Sequence, residues 1–302
     1  NGLKQAPQAP SKPGASVTRS LPMSTDETQA IDLGPGQVFT RNGSEISRAI
    51  QFGSIEYSST IDLDKLPQNM ATRGDGLGDL SAIADWWWAY FHGFRPTPHS
   101  SRGQIRVAEV FCGPGGLAQG VRQFCREAGF EFVSVAAVDA DDAAVDIYDQ
   151  NHGPVPHAHR GMVSDLVAYD VDGQGGDASW RNGSLPQLIP GKVWSDLPAD
   201  DPIDLLLAGP PCQGHSNLNN HSRRNDDRNA AYLDVPAMAV ALDIPMVIIE
   251  NVPAAVHDHG QVVQSARALF EKSGYLVSEG ILRASSMGWP QTRSRFFMVA
   301  RK

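Results

Sequence analysis

From residue 102 onward the chain alternates short apolar runs with stretches of helical periodicity. IRVAEVF (105–111) is an apolar run closed by a glycine turn, and GLAQGVRQFCREAG (116–129) then has helical spacing. FVSVAAVD (132–139) reads as a second strand, followed by helical DDAAVDIYDQN (141–151). DLLLAGP (204–210) and PMVIIENV (245–252) are further strands, QSARALFEKSG (264–274) a helix and RFFMVAR (295–301) a final strand. Apolar strands spaced by helices predict an α/β fold, a doubly wound and mostly parallel sheet covered on both faces. Stretches 170–200 and 214–230, full of Gly, Asn, Asp and Arg, read as loops. Long loops inside a compact α/β domain are often functional.

Upstream the pattern differs. Residues 1–32 are rich in Pro, Ala, Gln, Ser and Gly, lack apolar periodicity, and read as a flexible leader. Residues 33–100 read as an N-terminal extension or cap. Within it VFTR (38–41) and SIEYSSTI (54–61) look like short strands, and LSAIADWWWAYFHGF (80–94) like a helix ended by Gly93 and Pro96. Three consecutive tryptophans, Trp86 to Trp88, cannot all point one way on a helix. Two are expected to anchor it and one to meet a partner surface, a base-stacking platform being the sharper alternative. Residues 101–302 read as the catalytic domain.

Composition narrows the class. The 302 residues carry 25 Lys+Arg against 34 Asp+Glu, a net charge of −9, with 41% hydrophobic and 20% charged residues, as in an ordinary globular protein. Three cysteines rule out a disulfide scaffold and suit a reducing compartment, the cytoplasm or, in a eukaryote, the nucleus. No apolar run approaches the ~20 residues a membrane span needs. The acidic total argues against a binder held by a generally basic surface, but the charge is uneven. Stretch 131–208 has 14 acidic and 3 basic residues, whereas 283–302 has 5 basic and none acidic.

Four motifs carry candidate chemistry. Phe111-Cys112-Gly113-Pro114-Gly115-Gly116 follows a strand and precedes a helix, where glycines let backbone approach a ligand. Asp139 ends the next strand, placed for ribose hydroxyls, and Asp165 is expected at the end of a third. These suggest an adenosine-containing cofactor, with a dinucleotide still open at this point. Pro210-Pro211-Cys212-Gln213-Gly214 puts a cysteine at the carboxyl end of a buried strand, the edge where open α/β sheets bind ligands, while Cys112 and Cys125 read as packing. Glu250-Asn251-Val252 ends another apolar strand. In Gln291-Thr292-Arg293-Ser294-Arg295 the alternate arginines are set to address one ligand. The histidines His152, His157 and His159 could suggest a metal, but a solvated turn is the better reading, as it is for His257 and His259.

Taken in order, F-C-G-P-G-G, Asp139, PPCQG, ENV and QTRSR closely resemble the cytosine-5 DNA methyltransferase family over residues 104–302. The resemblance implies a Rossmann-like S-adenosylmethionine-dependent methyltransferase fold with an N-terminal extension. It implies methyl transfer to carbon 5 of a flipped cytosine in double-stranded DNA. By it, Cys212 matches the nucleophile that adds to carbon 6, Glu250 the acid at ring nitrogen 3, and Arg295 the group holding the cytosine carbonyl, with Arg293 in support. Phe111 would pack on adenine, and Gly113, Gly115 and Gly116 would admit the methionine portion. Asp139 would take the ribose, Asp165 the adenine amino group, and Pro211 would lie beside adenine and cytosine. Gln213, Ser216, Asn251 and the loop through Arg228 would lie on the substrate side, with Arg223 and Arg224 near phosphate. No metal is implied.

Two residues depart from the family pattern: Glu109 stands where Asp is common, and Ala140 where a bulky residue often covers adenine. The family also continues past QTRSR into a target-recognition region and two further motifs, which are not among these residues. The expectation is a fragment, or an enzyme whose recognition region is a second chain. A tRNA cytosine-5 methyltransferase is the competing enzyme, and a cofactor-binding regulatory subunit the competing non-enzyme.

Overall fold

The protein is described by a computed structural model covering residues 29–32, 37–52, 54–67, 81–98, 101–197, 202–211, 231–257, 261–287 and 291–302. Its N-terminal strands are β1 (Gln29–Asp32), β2 (Gln37–Asn42), β3 (Glu45–Phe52), β4 (Ile55–Asp62) and, after helix α1 (Ser81–Phe91), β5 (Thr97–Pro98). They pair antiparallel in chain order. A separate core of Phe39, Ile46, Ile61, Ala82, Trp86 and Ala89 lies between this sheet and α1. Trp86 is fully buried, and Trp87 and Trp88 pack half-buried against that core. The outer two are held by neighbours: the Arg48 guanidinium lies 5.0 Å from the Trp87 ring centre, and Trp88 packs on His92 at 4.4 Å.

Arg48 also joins the two parts of the chain. From β3 its Nη1 reaches Glu127 Oε2 at 2.8 Å, and Nε and Nη2 donate to Gln37 Oε1. Glu127 belongs to α2 (Gly116–Ala128), the first helix of the second part. Around this pair Tyr57 packs edge-on against Phe124 at 5.8 Å. Both charged side chains are nearly out of water, so removing one strands the other. Arg48→Met is therefore expected to cost about 3 kcal/mol, read as a lower urea midpoint. A substantially smaller cost for the double variant Arg48→Met/Glu127→Met would show that the stranded Glu127 charge carries the effect.

The second part is built on β6 (Gln104–Val110), β7 (Glu131–Asp139) and, after α3 (Asp142–His152), β8 (His157–Arg160). Four two-residue strands follow, β9 (Val167–Ala168), β10 (Val171–Asp172), β11 (Ser179–Trp180) and β12 (Gln187–Leu188). Then come β13 (Leu205–Ala208), α4 (Ala231–Ala241), β14 (Met246–Asn251), α5 (Val262–Lys272), β15 (Leu276–Arg283) and β16 (Ser294–Arg301). The seven-stranded sheet runs β15-β16-β14-β13-β6-β7-β8, parallel from β14 to β8, with β16 antiparallel to both its neighbours. Alternate residues feed opposite faces. Val107, Ala137, Leu205 and Leu207 meet α2 and α3, while Ala108, Val138, Leu206 and Ile249 meet α4 and α5. The expected doubly wound sheet is present. Chain order reverses between β6 and β13, and the crevice at that reversal is where such sheets bind ligands.

Four elements depart from the sequence reading. HAHR, taken as a turn, is the edge strand β8. Residues 276–283 form the edge strand β15, α4 was not anticipated, and β3 pairs with β2 across a two-residue turn at Gly43-Ser44. Asp165 lies not at a strand end but in a 3-10 turn, Val163–Asp165, beyond β8. Among the described residues no helix is long and apolar enough to cross a membrane.

Candidate active site

The turn after β6 is held in an unusual backbone shape. Phe111 has φ 54°, rare for a non-glycine residue and a mark of local strain, and Gly113 and Gly115 have φ 51° and 84°. Neighbours fix it from three sides. Gly113 N–H donates to Asp139 Oδ2 at 2.8 Å, Asn151 Nδ2 donates to Pro114 O at 2.8 Å, and His152 Nε2 bonds Gly115 O at 3.0 Å. A Cβ on Gly115 would lie 2.2 Å from the His152 ring, so only glycine fits under this clamp. At Gly113 and Gly116 an added Cβ would meet nothing within 4 Å, so the other side of the turn is open. α2 begins here at Gly115, which has no side chain to cap it, and of its first N–H groups that of Ala118 is taken by Glu109 Oε2.

Asp139 ends β7 as expected, its Oδ1 accepting from Asp141 N at 3.0 Å. Asp165 Oδ2 accepts from Met162 N at 3.0 Å and stands 3.9 Å from His159 Nε2. An open glycine turn leading into a helix start and the Asp139 carboxylate ending β7 fit a cofactor with an amino-acid end and a ribose. Clamping by Asn151 and His152 is not legible in the sequence, where His152 reads as part of a solvated turn. Helical spacing was the available signal, since both sit at the end of α3 beside the turn. Among the described residues no cluster of three metal-ligating side chains exists.

Across the reversal point lies a cavity of about 470 Å³ whose walls include Gly116, Leu117, Glu250, Arg293, Arg295 and Phe297. Ile248 packs on the α2 side of β14 and Ile249 on the other, so alternation turns Glu250 toward α2. Arg295 Nε lies 2.7 Å from Glu250 Oε1, and its Nη1 donates to Ser294 O at 2.8 Å. That uses two of five guanidinium N–H groups. Arg293 precedes β16 yet opens on the same cavity, so the two arginines can address one ligand. Leu282 and Gln291 complete walls that were not anticipated as site residues, Leu282 because its strand was not recognised.

Asn251 is not among the residues lining this cavity. It is 2% exposed, its Nδ2 donates to Pro210 O at 3.4 Å, and its Oδ1 accepts from Val252 N at 2.7 Å. It ties the end of β14 to the chain leaving β13. Pro211 directly follows that tie, whereas Cys212, Gln213, Ser216, Arg223, Arg224 and Arg228 lie outside the described residues, as does His259. Cys112 and Cys125 are buried. Burial and the nearby carboxyls of Glu109 and Asp139 push the Cys112 thiol well above its ordinary range, and burial lifts Cys125 to about 11. Neither is an activated nucleophile.

A seven-stranded, mostly parallel sheet with a glycine turn after its first strand and an acid ending its second defines a Rossmann-like α/β protein. The chain belongs to the C-5 cytosine-specific DNA methylase family, whose model matches residues 105–302. Type II methyltransferase M1.BsuMI of Bacillus subtilis (strain 168) is 32% identical over 216 residues, 69% of this chain and 45% of its own length. The tRNA (cytosine(38)-C(5))-methyltransferase of Homo sapiens is 26% identical over 203 residues, 65% of this chain and 42% of its own. The crystal structure of the S. pombe Dnmt2 methyltransferase matches with a TM-score of 0.41 and 22% identity, covering 65% of this chain and 49% of that one. The chain spans about half the length of the curated relatives it matches. Nothing in these comparisons supports a second chain carrying target recognition.

Proposed function

We propose that this chain carries the catalytic and cofactor-binding half of a DNA (cytosine-5) methyltransferase that uses S-adenosylmethionine, in a type II restriction-modification setting like that of its relative M1.BsuMI. The observation that carries the reading is the Glu250–Arg295 pair in a cavity that shares its Gly116–Leu117 wall with the glycine turn. One wall thus serves two ligands that must meet.

Cofactor placement follows the turn. Phe111 packs on the adenine, and Gly113, Gly115 and Gly116 admit the methionine end, its carboxylate at the start of α2. Asp139 would accept from the ribose hydroxyls and Asp165 from the adenine amino group, with Pro211 or its neighbour Pro210 beside adenine and cytosine. When bound, S-adenosylmethionine supplies an electrophilic methyl group on a sulfonium sulfur.

A flipped cytosine then occupies the cavity, since its ring carbons are out of reach in a stacked duplex. The Cys212 thiolate adds to carbon 6, and the electron pair displaced onto the ring makes carbon 5 nucleophilic. Negative charge gathers at the carbonyl oxygen and ring nitrogen 3 as the bond forms. Spare N–H groups of Arg295 meet the first, and Glu250 in its protonated form gives its carboxyl proton to the second and takes it back as the C–S bond breaks, with Arg293 reinforcing the positive wall. After carbon 5 takes the methyl group it loses its proton to a base, and the C–S bond breaks to return the Cys212 thiolate. Gln213, Ser216, Arg223, Arg224 and Arg228 are assigned to the DNA around the flipped base.

The test is covalent trapping on a random-sequence pool of duplexes containing 5-fluorocytosine. Carbon 5 then has no proton to lose, so an adduct resistant to denaturant is expected in the presence of S-adenosylmethionine. No adduct from protein that binds the cofactor would sink the reading. Similarity to the human tRNA enzyme supports one alternative, and preferential methylation of tRNA over duplex DNA would establish it.

A further inference from the structure

Behind the glycine turn sits a carboxyl group that the reaction above does not use. Glu109 is 2% exposed on β6, on the face covered by α2 and α3. Its Oε2 accepts from the N–H of Ala118 in the first turn of α2 at 3.2 Å. The Tyr148 hydroxyl, from α3, is its other hydrogen-bond partner and lies 3.1 Å from Ser134 Oγ on β7. Ala118 directly follows Gly116 and Leu117, the wall common to the glycine turn and the cavity. One side chain therefore ties β6, α2 and α3 together beneath the place where cofactor and base are proposed to meet.

Among the described residues no cation stands beside this carboxyl to balance a charge. Facing groups are the Cys112 thiol from the turn, the Asp139 carboxylate from β7 and the Tyr148 phenol from α3, while β13 contributes the apolar Leu207. Further out, α3 carries Asp149 and His152, whose ring bonds Gly115 O, and Arg122 of α2 donates to Asn151 O. A neutral carboxylic acid needs no balancing cation in this apolar place, and it still accepts from Ala118 N–H and from the Tyr148 hydroxyl.

We propose that Glu109 is a positioning residue that works as a neutral acid, pinning the first turn of α2 so that its wall fits both cofactor and base. The role in binding rests on the reading that residues 111–116 receive S-adenosylmethionine, whereas the protonation state does not. Burial pushes the Glu109 carboxyl up to about 8, with the Asp139 charge adding to the effect. Its ordinary value is near 4.5, so between about 4.5 and 8 the folded protein keeps a proton that the unfolded chain has released. Stability drawn from this group falls as pH rises through that window.

Thermal unfolding of the purified chain without cofactor, compared with Glu109→Gln at pH 5 and pH 8, tests the protonation state. Gln imitates the neutral acid and cannot ionise. The variant is expected to gain on wild type by roughly 5 °C or more between the two pH values. A constant difference would overturn the proposal, because Glu109 would then ionise alike in both states. Calorimetric titration with S-adenosylmethionine at pH 7 tests the positioning role. Glu109→Leu, which cannot accept from Ala118, is expected to bind at least tenfold more weakly than Glu109→Gln. Equal affinity of the two would overturn that role. Wild type that fails to bind the cofactor would overturn the functional reading instead, with the unfolding comparison still deciding the state of Glu109.

Discussion

Cys212→Ala is expected to abolish methyl transfer, a loss on the order of 10⁴-fold or more, because removing the proposed covalent nucleophile would leave carbon 5 of cytosine without activation. S-adenosylmethionine binding, in contrast, is expected to stay within about twofold of wild type, since a nucleophile that acts only in the chemical step leaves ground-state binding alone. The two separate because they depend on different strands. The glycine turn, Asp139 and their clamps belong to β6, β7 and α3, while the chain reaching Cys212 leaves β13 at Pro210, fixed by Asn251 from β14. Methyl incorporation into a random-sequence duplex pool and calorimetric titration of the cofactor, run on one preparation, check both halves. Equal loss of transfer and binding would mean that the cysteine shapes the cofactor pocket rather than attacking the base. The same variant should give no adduct on 5-fluorocytosine duplexes.

The strands that carry the site were legible because they are apolar and end in chemistry. IRVAEVF, FVSVAAVD and MVII each run into a glycine turn or an acid, and burial on both faces leaves a continuous signal. Elements at the margins were not. β15 is an edge strand whose residues are nearly all exposed, so it has neither an apolar run nor alternation. β8 is four residues of His, Ala and Arg at the opposite edge. α4 lies within the core between α5 and the insertion that follows β8. It is apolar on all sides and contains Pro236, which hides helical periodicity. The β2–β3 hairpin was missed although Asn42-Gly43 between strand-like runs is a strong turn signal. At the site, motif order named residues but not their neighbours. Tyr148 beside Glu109 and His152 against Gly115 lie across the fold on α3, with helical spacing the one hint that they share a face.

Glu250→Gln is expected to lower kcat/KM by about 10² to 10³, and Arg295→Ala by a similar factor, each near 3–4 kcal/mol of transition-state stabilisation. Gln keeps the shape and an oxygen for Arg295 Nε, but it cannot carry a carboxyl proton to ring nitrogen 3. Arg295→Ala removes the donors for the carbonyl oxygen and also leaves Glu250 without the partner 2.7 Å away that orients it. These residues touch each other, so their losses should not add. The double variant is expected to fall no more than about tenfold below the worse single one, as for groups that act as a unit. Arg293→Ala, whose side chain is exposed at the cavity mouth, should cost less than either. Single-turnover methylation with saturating cofactor separates the chemical step from product release and makes the comparison clean. Losses that multiply fully in the double variant would show that Glu250 and Arg295 act on the base independently, and that the ion pair is incidental to the chemistry.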